Sequence, residues 1–149
     1  MLEHITLDDI EIGMIASDWR DAIKGSSAYL LKSGKIKESY VDAMIEAVDR
    51  IGPYIVLGNH VALAHARPEC GVNELAVHFT TLEPSIPFGS ERFDPIRLII
   101  TLAAVDADSH LELISELAEI LMEEENVDKL ADCTSREAFL ALLLQLKDE

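Results

Sequence analysis

The chain has 149 residues, of which 49% are hydrophobic and 27% charged, and 28 acidic against 12 basic side chains give a formal net charge of −16. That length suits one domain around a single core, the charge opposes binding to nucleic acid or an anionic membrane, and no apolar run reaches the roughly 18 to 20 residues that span a bilayer. A basic protein partner is what such a surface attracts, and Cys70 and Cys133, with no Cys-x-x-Cys pair and no signal peptide, fit reduced thiols in a cytoplasmic protein.

In chain order, the first periodic signal is Trp19, Ala22, Ile23, Leu30 and Leu31, followed more strongly by Tyr40, Val41, Met44, Ile45, Val48 and Ile51. This spacing predicts two amphipathic helices within residues 17–51. Gly34 in KSGKIK is the stop between them, and Gly52-Pro53 ends the second. From Tyr54 the texture changes: YIVL, VALAHA, ELAVHFTTL and IRLIITLAAV are short, apolar or β-rich, and separated by Gly, Pro, Asn or Asp, which predicts strands. The last is apolar at nearly every position, as befits a central strand covered on both faces. DADSHLELISELAEILMEEEN restores the helical period through Leu111, Ile114, Leu117, Ala118 and Leu121, with Ser109 and Glu112 at capping-box spacing, so that His110 falls at or within a first turn. Thr134 and Glu137 announce a last helix, AFLALLLQL, by the same spacing. Together these elements predict an α/β protein in three layers.

The stretch GNHVALAHARPECG concentrates His60, His65, Arg67 and Cys70. A five-residue step puts His60 and His65 on opposite faces of a strand, and about 140° apart on a helix. With no His-Glu-x-x-His and no paired Cys-x-x-Cys, the spacing argues against a metal site. In an extended chain His65 and Arg67 share a face with Val61 and Leu63, which sets a guanidinium beside an imidazole, a pairing suited to an arriving phosphate. The residues alone equally allow a half-buried structural histidine with a surface arginine nearby. At a helix N-terminus His110 sits in positive potential that attracts phosphate and favours a neutral imidazole, and a purely local role in DSHLE is the alternative. His78 reads as a satisfied sheet residue and His4 as exposed.

Taken together, GPYIVLGNHVALAHARPECGV, LEPSIPFG and DPIRLIITLAAVDADSHLELISELAEIL resemble the enzyme IIA component of the phosphoenolpyruvate-dependent sugar phosphotransferase system. Within it they are similar to the fructose/mannitol class (type 2), and more narrowly to its ascorbate-type stand-alone proteins. The resemblance covers residues 5–147 and implies one enzyme IIA domain there, with a mannitol-specific enzyme IIA-like three-layer α/β/α fold and a mixed central sheet. It implies that His65, in ALAHARPE, accepts a phosphoryl group on Nε2, and that His110, in DADSHLELI, stabilises it. Arg67 is the implied assistant in charge neutralisation. The chain departs from the family where Ala64 replaces a proline before the histidine and where Gly58-Asn59-His60 replaces Ala-Pro-Gly, changes that alter backbone stiffness and polarity around His65.

What the resemblance implies for function is a cytoplasmic phosphocarrier that forms a phosphohistidine, needs no cofactor or metal, and takes phosphate from phospho-HPr. It would pass the group to an enzyme IIB component and so, indirectly, to the membrane IIC transporter, for ascorbate or a related sugar. Two other readings stand beside it: a regulatory enzyme IIA-like module that signals through His65 phosphorylation, and an ordinary α/β binding protein with incidental histidines. The first two require His65 and His110 to meet at one accessible site, and the third does not.

Overall fold

The computed structural model describes residues 2–148. Its centre is a five-stranded mixed sheet: β1 (Ile10–Met14), β2 (Val56–Gly58), β3 (Val61–Ala64), β4 (Ala76–Ile86) and β5 (Ile96–Ala103), in spatial order β1-β4-β5-β3-β2. β1 runs parallel to β4 and β3 parallel to β5, whereas β4 with β5 and β2 with β3 are antiparallel. Helices α1 (Trp19–Lys32) and α2 (Glu38–Ile51) cover one face. Helices α3 (Ala107–Leu121), α4 (Glu124–Ala131) and α5 (Arg136–Lys147) cover the other. The three-layer α/β/α arrangement with a mixed sheet is therefore as expected.

Strand alternation divides the core. In β3, Ala62 and Ala64 join Ile23, Leu30, Met44 and Val48 beneath α1 and α2, while Val61 and Leu63 join Leu113, Leu117 and Phe139 on the other side. In β5, Ile99 and Ala103 take the first face and Leu98, Ile100 and Leu102 the second. This period of two explains why β5, buried on both faces, reads as an unbroken apolar run.

Two elements escape the sequence reading. β1 is an edge strand of five residues, IEIGM, in which Ile10, Ile12 and Met14 alternate with Glu11 and Gly13 over too short a run to stand out; parallel pairing of Ile10 with Phe79 fixes it in place. The predicted long helix after Asp106 also stops at Leu121, and Glu124–Ala131 forms a separate helix that packs Asn126, Val127 and Leu130 inward. Asn126 ties the break by donating its side-chain amide to the Ile120 carbonyl at 2.8 Å.

Two caps differ from expectation. Asp106, not Ser109, caps α3: its carboxylate accepts from the Ser109 amide at 2.8 Å, which makes Asp106 and Ser109 the reciprocal pair and leaves Glu112 outside it. Ser135, not Thr134, caps α5 by accepting from the Ala138 amide at 3.1 Å. Both shifts move the helix start by a few residues at most, since an aspartate or serine one or three positions away offers the same oxygen to the same orphan amides.

Candidate active site

β3 and β5 are parallel, so their carboxyl ends lie side by side, the place where open α/β sheets carry their sites. The last ladder pair is Ala64 with Thr101. His65 is the first residue beyond β3, half-buried where the strand gives way to the short 3-10 turn Pro68–Cys70. β5 ends at Ala103, and three residues lead from it to α3, in which His110 is the fourth residue. The parallel pair thus delivers both histidines to one end of the sheet. Their ring centroids lie 5.6 Å apart, with planes inclined at 51°.

The His65 ring is fixed in one tautomer. His65 Nδ1 lies 2.6 Å from the Leu63 carbonyl oxygen, an atom that can only accept, so the proton is on Nδ1 and Nε2 carries the free lone pair. Burial holds the His65 pKa below the ordinary histidine value, opposed by the bond to Leu63 and assisted by repulsion from His110. The imidazole is consequently neutral at neutral pH. Tyr54 packs its ring edge-on against it, with centroids 5.4 Å apart at 74°, and donates its hydroxyl to the His65 carbonyl at 2.7 Å.

These groups open into a cavity of about 730 Å³ whose wall includes Arg50, Tyr54, His65, Arg67, Cys70 and His110. Val105, Asp106 and Ala107, the approach to α3, form part of the same wall, so that the positive end of that helix faces the cavity near His110. Arg67 is exposed and, among the described residues, its guanidinium has no hydrogen bond or ion pair. Arg50 enters from the last turn of α2, bonded to Glu46 at 3.0 Å, a cation that periodicity alone assigns only to a helix surface. Nor does sequence patterning single out Tyr54; its contact with His65 follows from the turn after α2.

His60 and Cys70 part company with the pair. His60 sits in the β2–β3 turn at the far end of β3, with φ of 68°, and its ring Nδ1 donates to the Pro95 carbonyl at 2.7 Å. It shapes a turn and has no part in the cavity. Cys70 lines the cavity as a free thiol, and Cys133 is free elsewhere. His78 departs from the satisfied state expected of it: it is buried and stacked on Tyr29 at 5.4 Å, yet its Nδ1 has no hydrogen-bond partner among the described residues. Burial pushes its pKa down to about 4.

Known proteins resemble this chain in sequence and in fold. Residues 3–146 match the family model described as phosphoenolpyruvate-dependent sugar phosphotransferase system, EIIA 2. The mannitol-specific cryptic phosphotransferase enzyme IIA component of Escherichia coli (strain K12) is 41% identical over 120 residues, 80% of this chain and 81% of that protein. The ascorbate-specific PTS system EIIA component of Shigella boydii serotype 4 is 36% identical over 129 residues, 86% of this chain and 84% of that protein. Among solved structures, the complex of enzyme IIAMtl and phosphorylated enzyme IIBMtl from Escherichia coli superposes with a TM-score of 0.82 at 29% identity, covering 95% of this chain and 97% of that one.

Proposed function

The chain belongs to the EIIA 2 family of the phosphoenolpyruvate-dependent sugar phosphotransferase system, and from that premise we propose that it is a cytoplasmic phosphocarrier, one domain over residues 5–147, whose His65 takes a phosphoryl group from phospho-HPr and hands it to an enzyme IIB component. The observation that carries this reading is the pairing of a neutral, tautomer-fixed His65 with His110 across 5.6 Å at an open cavity.

In the first transfer the P–N bond of the donor histidine breaks and its nitrogen leaves with the electron pair. The Nε2 lone pair of His65 forms the new P–N bond. Such transfer passes through a loose, in-line transition state in which charge spreads over three equatorial oxygens, so the protein's task is to position and to stabilise. Phosphorylation at Nε2 leaves the Nδ1 proton in place and makes the ring more positive, a charge that the Leu63 carbonyl, 2.6 Å from Nδ1, offsets. His110 and the positive end of α3 stabilise the phosphoryl oxygens, and Arg67, which lines the same cavity as Arg50, assists in charge neutralisation. The second transfer reverses these roles toward a nucleophile on enzyme IIB, which feeds the membrane IIC component.

A relay must bind its partners briefly. On the cavity wall Ile51 is 61% exposed and Val105 46%, apolar contacts within a molecule of net charge −16. Apolar contact supplies modest affinity and complementary charge speeds encounter. The relatives' names divide between mannitol and ascorbate; we assign ascorbate or a related sugar on the overall resemblance of the chain to the ascorbate-type stand-alone proteins. The test is a two-step relay: chain phosphorylated by phospho-HPr is mixed with purified ascorbate-type and mannitol-type enzyme IIB. The reading expects discharge to the ascorbate-type acceptor at a rate that falls with salt, and retention of phosphate with every IIB would contradict it.

A further inference from the structure

The peptide between His65 and Ala66 is held at both of its polar atoms by tyrosine hydroxyls. Tyr54 donates to the His65 carbonyl at 2.7 Å, and the Ala66 amide donates to the Tyr40 hydroxyl at 3.0 Å. Tyr40 in turn donates its own proton to the Leu102 carbonyl at 2.6 Å, with the Ala66 carbonyl as a longer contact at 3.3 Å. Tyr40 comes from α2 and is 1% exposed.

The place of this hydroxyl in the fold matters more than its burial. β3 and β5 last pair at Ala64 and Thr101. One residue farther, no ladder bond joins the two chains, and from there one leads to His65 and the other to α3 and His110. The Tyr40 hydroxyl bridges them at that point, from Ala66 on one side to Leu102 on the other. It extends the pairing of the two segments past the end of β3, while β5 still runs to Ala103. A hydroxyl that accepts from one arm and donates to the other fixes their separation, which two independent side-chain bonds would not do.

We propose that Tyr40 is a positioning residue for phosphoryl transfer: its hydroxyl, by joining Ala66 to Leu102, sets the spacing of the His65 and His110 imidazoles. The proposal rests on His65 as acceptor. Tyr40 touches no phosphate and has no role as acid or base. Its loss leaves the ring in place but releases one arm from the other, so that phosphodonor binding persists while the in-line geometry is less often achieved.

Tyr40→Phe is the variant, compared with Phe139→Leu, a substitution in the opposite core where Phe139 packs against Phe79 with centroids 5.6 Å apart. Misplacement of reacting groups on this scale lowers kcat for phosphoryl uptake by roughly 10- to 100-fold, with KM for phospho-HPr held within about twofold, the signature of a lost transition-state interaction. Phe139→Leu, although destabilised, keeps kcat. In NMR spectra the His65 and His110 rings, whose centroids lie 5.6 Å apart, show contacts with each other in the parent protein and lose them in Tyr40→Phe. Equal kcat in the two variants, with these ring contacts retained, would overturn the proposal. If Tyr40→Phe does not fold, hydrogen exchange of the parent decides: the Ala66 amide exchanges as slowly as the β3 amides if the clamp holds, and at loop rates if it does not. Parent protein that accepts no phosphate on His65 overturns the acceptor assignment itself, a result separate from the exchange measurement.

Discussion

His65 and His110 are 45 positions apart in the chain, and their rings stand with centroids 5.6 Å apart. Neither residue travels far from its own element to achieve this. One follows directly from β3, the other from the first turn of the helix after β5, and the two strands are parallel neighbours. The pair is therefore a consequence of strand order.

If His110 stabilises phosphoryl oxygens, His110→Ala retains binding of phospho-HPr but slows phosphoryl uptake by roughly 10²- to 10³-fold, the range found when one preorganised donor to a transition-state anion is removed. Quench-flow measurement of uptake, with binding followed separately by NMR shift changes, checks this. Uptake at the parental rate would remove His110 from the reaction.

The acceptor must be unprotonated to attack. Because burial depresses the His65 pKa, its ring titrates below the ordinary histidine value, and the acid limb of phosphoryl uptake begins at lower pH than an ordinary histidine would give. The sign follows from the base: protonation occupies Nε2, so falling pH removes the nucleophile. An NMR titration of His65 with its midpoint at or above 6.5 would contradict this account.

Stability responds to a different histidine. His78, depressed to about 4 mainly by burial, with Asp9 raising and Arg136 lowering it further, is neutral when folded and ordinary when unfolded. Between pH 6.5 and 4 the unfolded chain binds the extra proton, so stability falls as pH falls through this window and is fully retained above it. The contribution is about 3 kcal/mol, lost in full at the acid end of the window, since each pH unit between the unfolded and folded titration points is worth about 1.4 kcal/mol. Urea titrations at pH 7 and pH 4.5 read it, and His78→Phe, which keeps a ring against Tyr29, loses this part of the pH dependence. An unchanged difference between the two pH values in the variant would assign the acid sensitivity to other groups.

Much of this is legible in residue order. Leu30 and Met44 announce their helices by period, and the fully apolar β5 announces a strand covered on both faces, because those patterns arise from burial itself. β1 is missed because its alternation of Ile10, Ile12 and Met14 with Glu11 and Gly13 spans only five residues and the partner that holds it, β4, lies about seventy residues away, a separation open to parallel pairs because they need no tight turn between them. The break before α4 is hidden because Met122, Glu123 and Glu124 are all compatible with a continuing helix, and only the buried Asn126 reveals the turn. At the site, His65, Arg67 and His110 stand out through motif resemblance. Arg50, Tyr54 and Tyr40 do not, because each looks like an ordinary helix or turn residue until the helix is laid across the strand ends.

The central claim is that His65 carries the phosphoryl group, and the most direct measurement is incubation of the parent chain and of His65→Ala with phospho-HPr, followed by intact mass and by peptide mapping under alkaline conditions that preserve phosphohistidine. The account predicts one acid-labile phosphate per parent chain, located at His65, and none on the variant. Stoichiometric acid-labile phosphate on His65→Ala would contradict it.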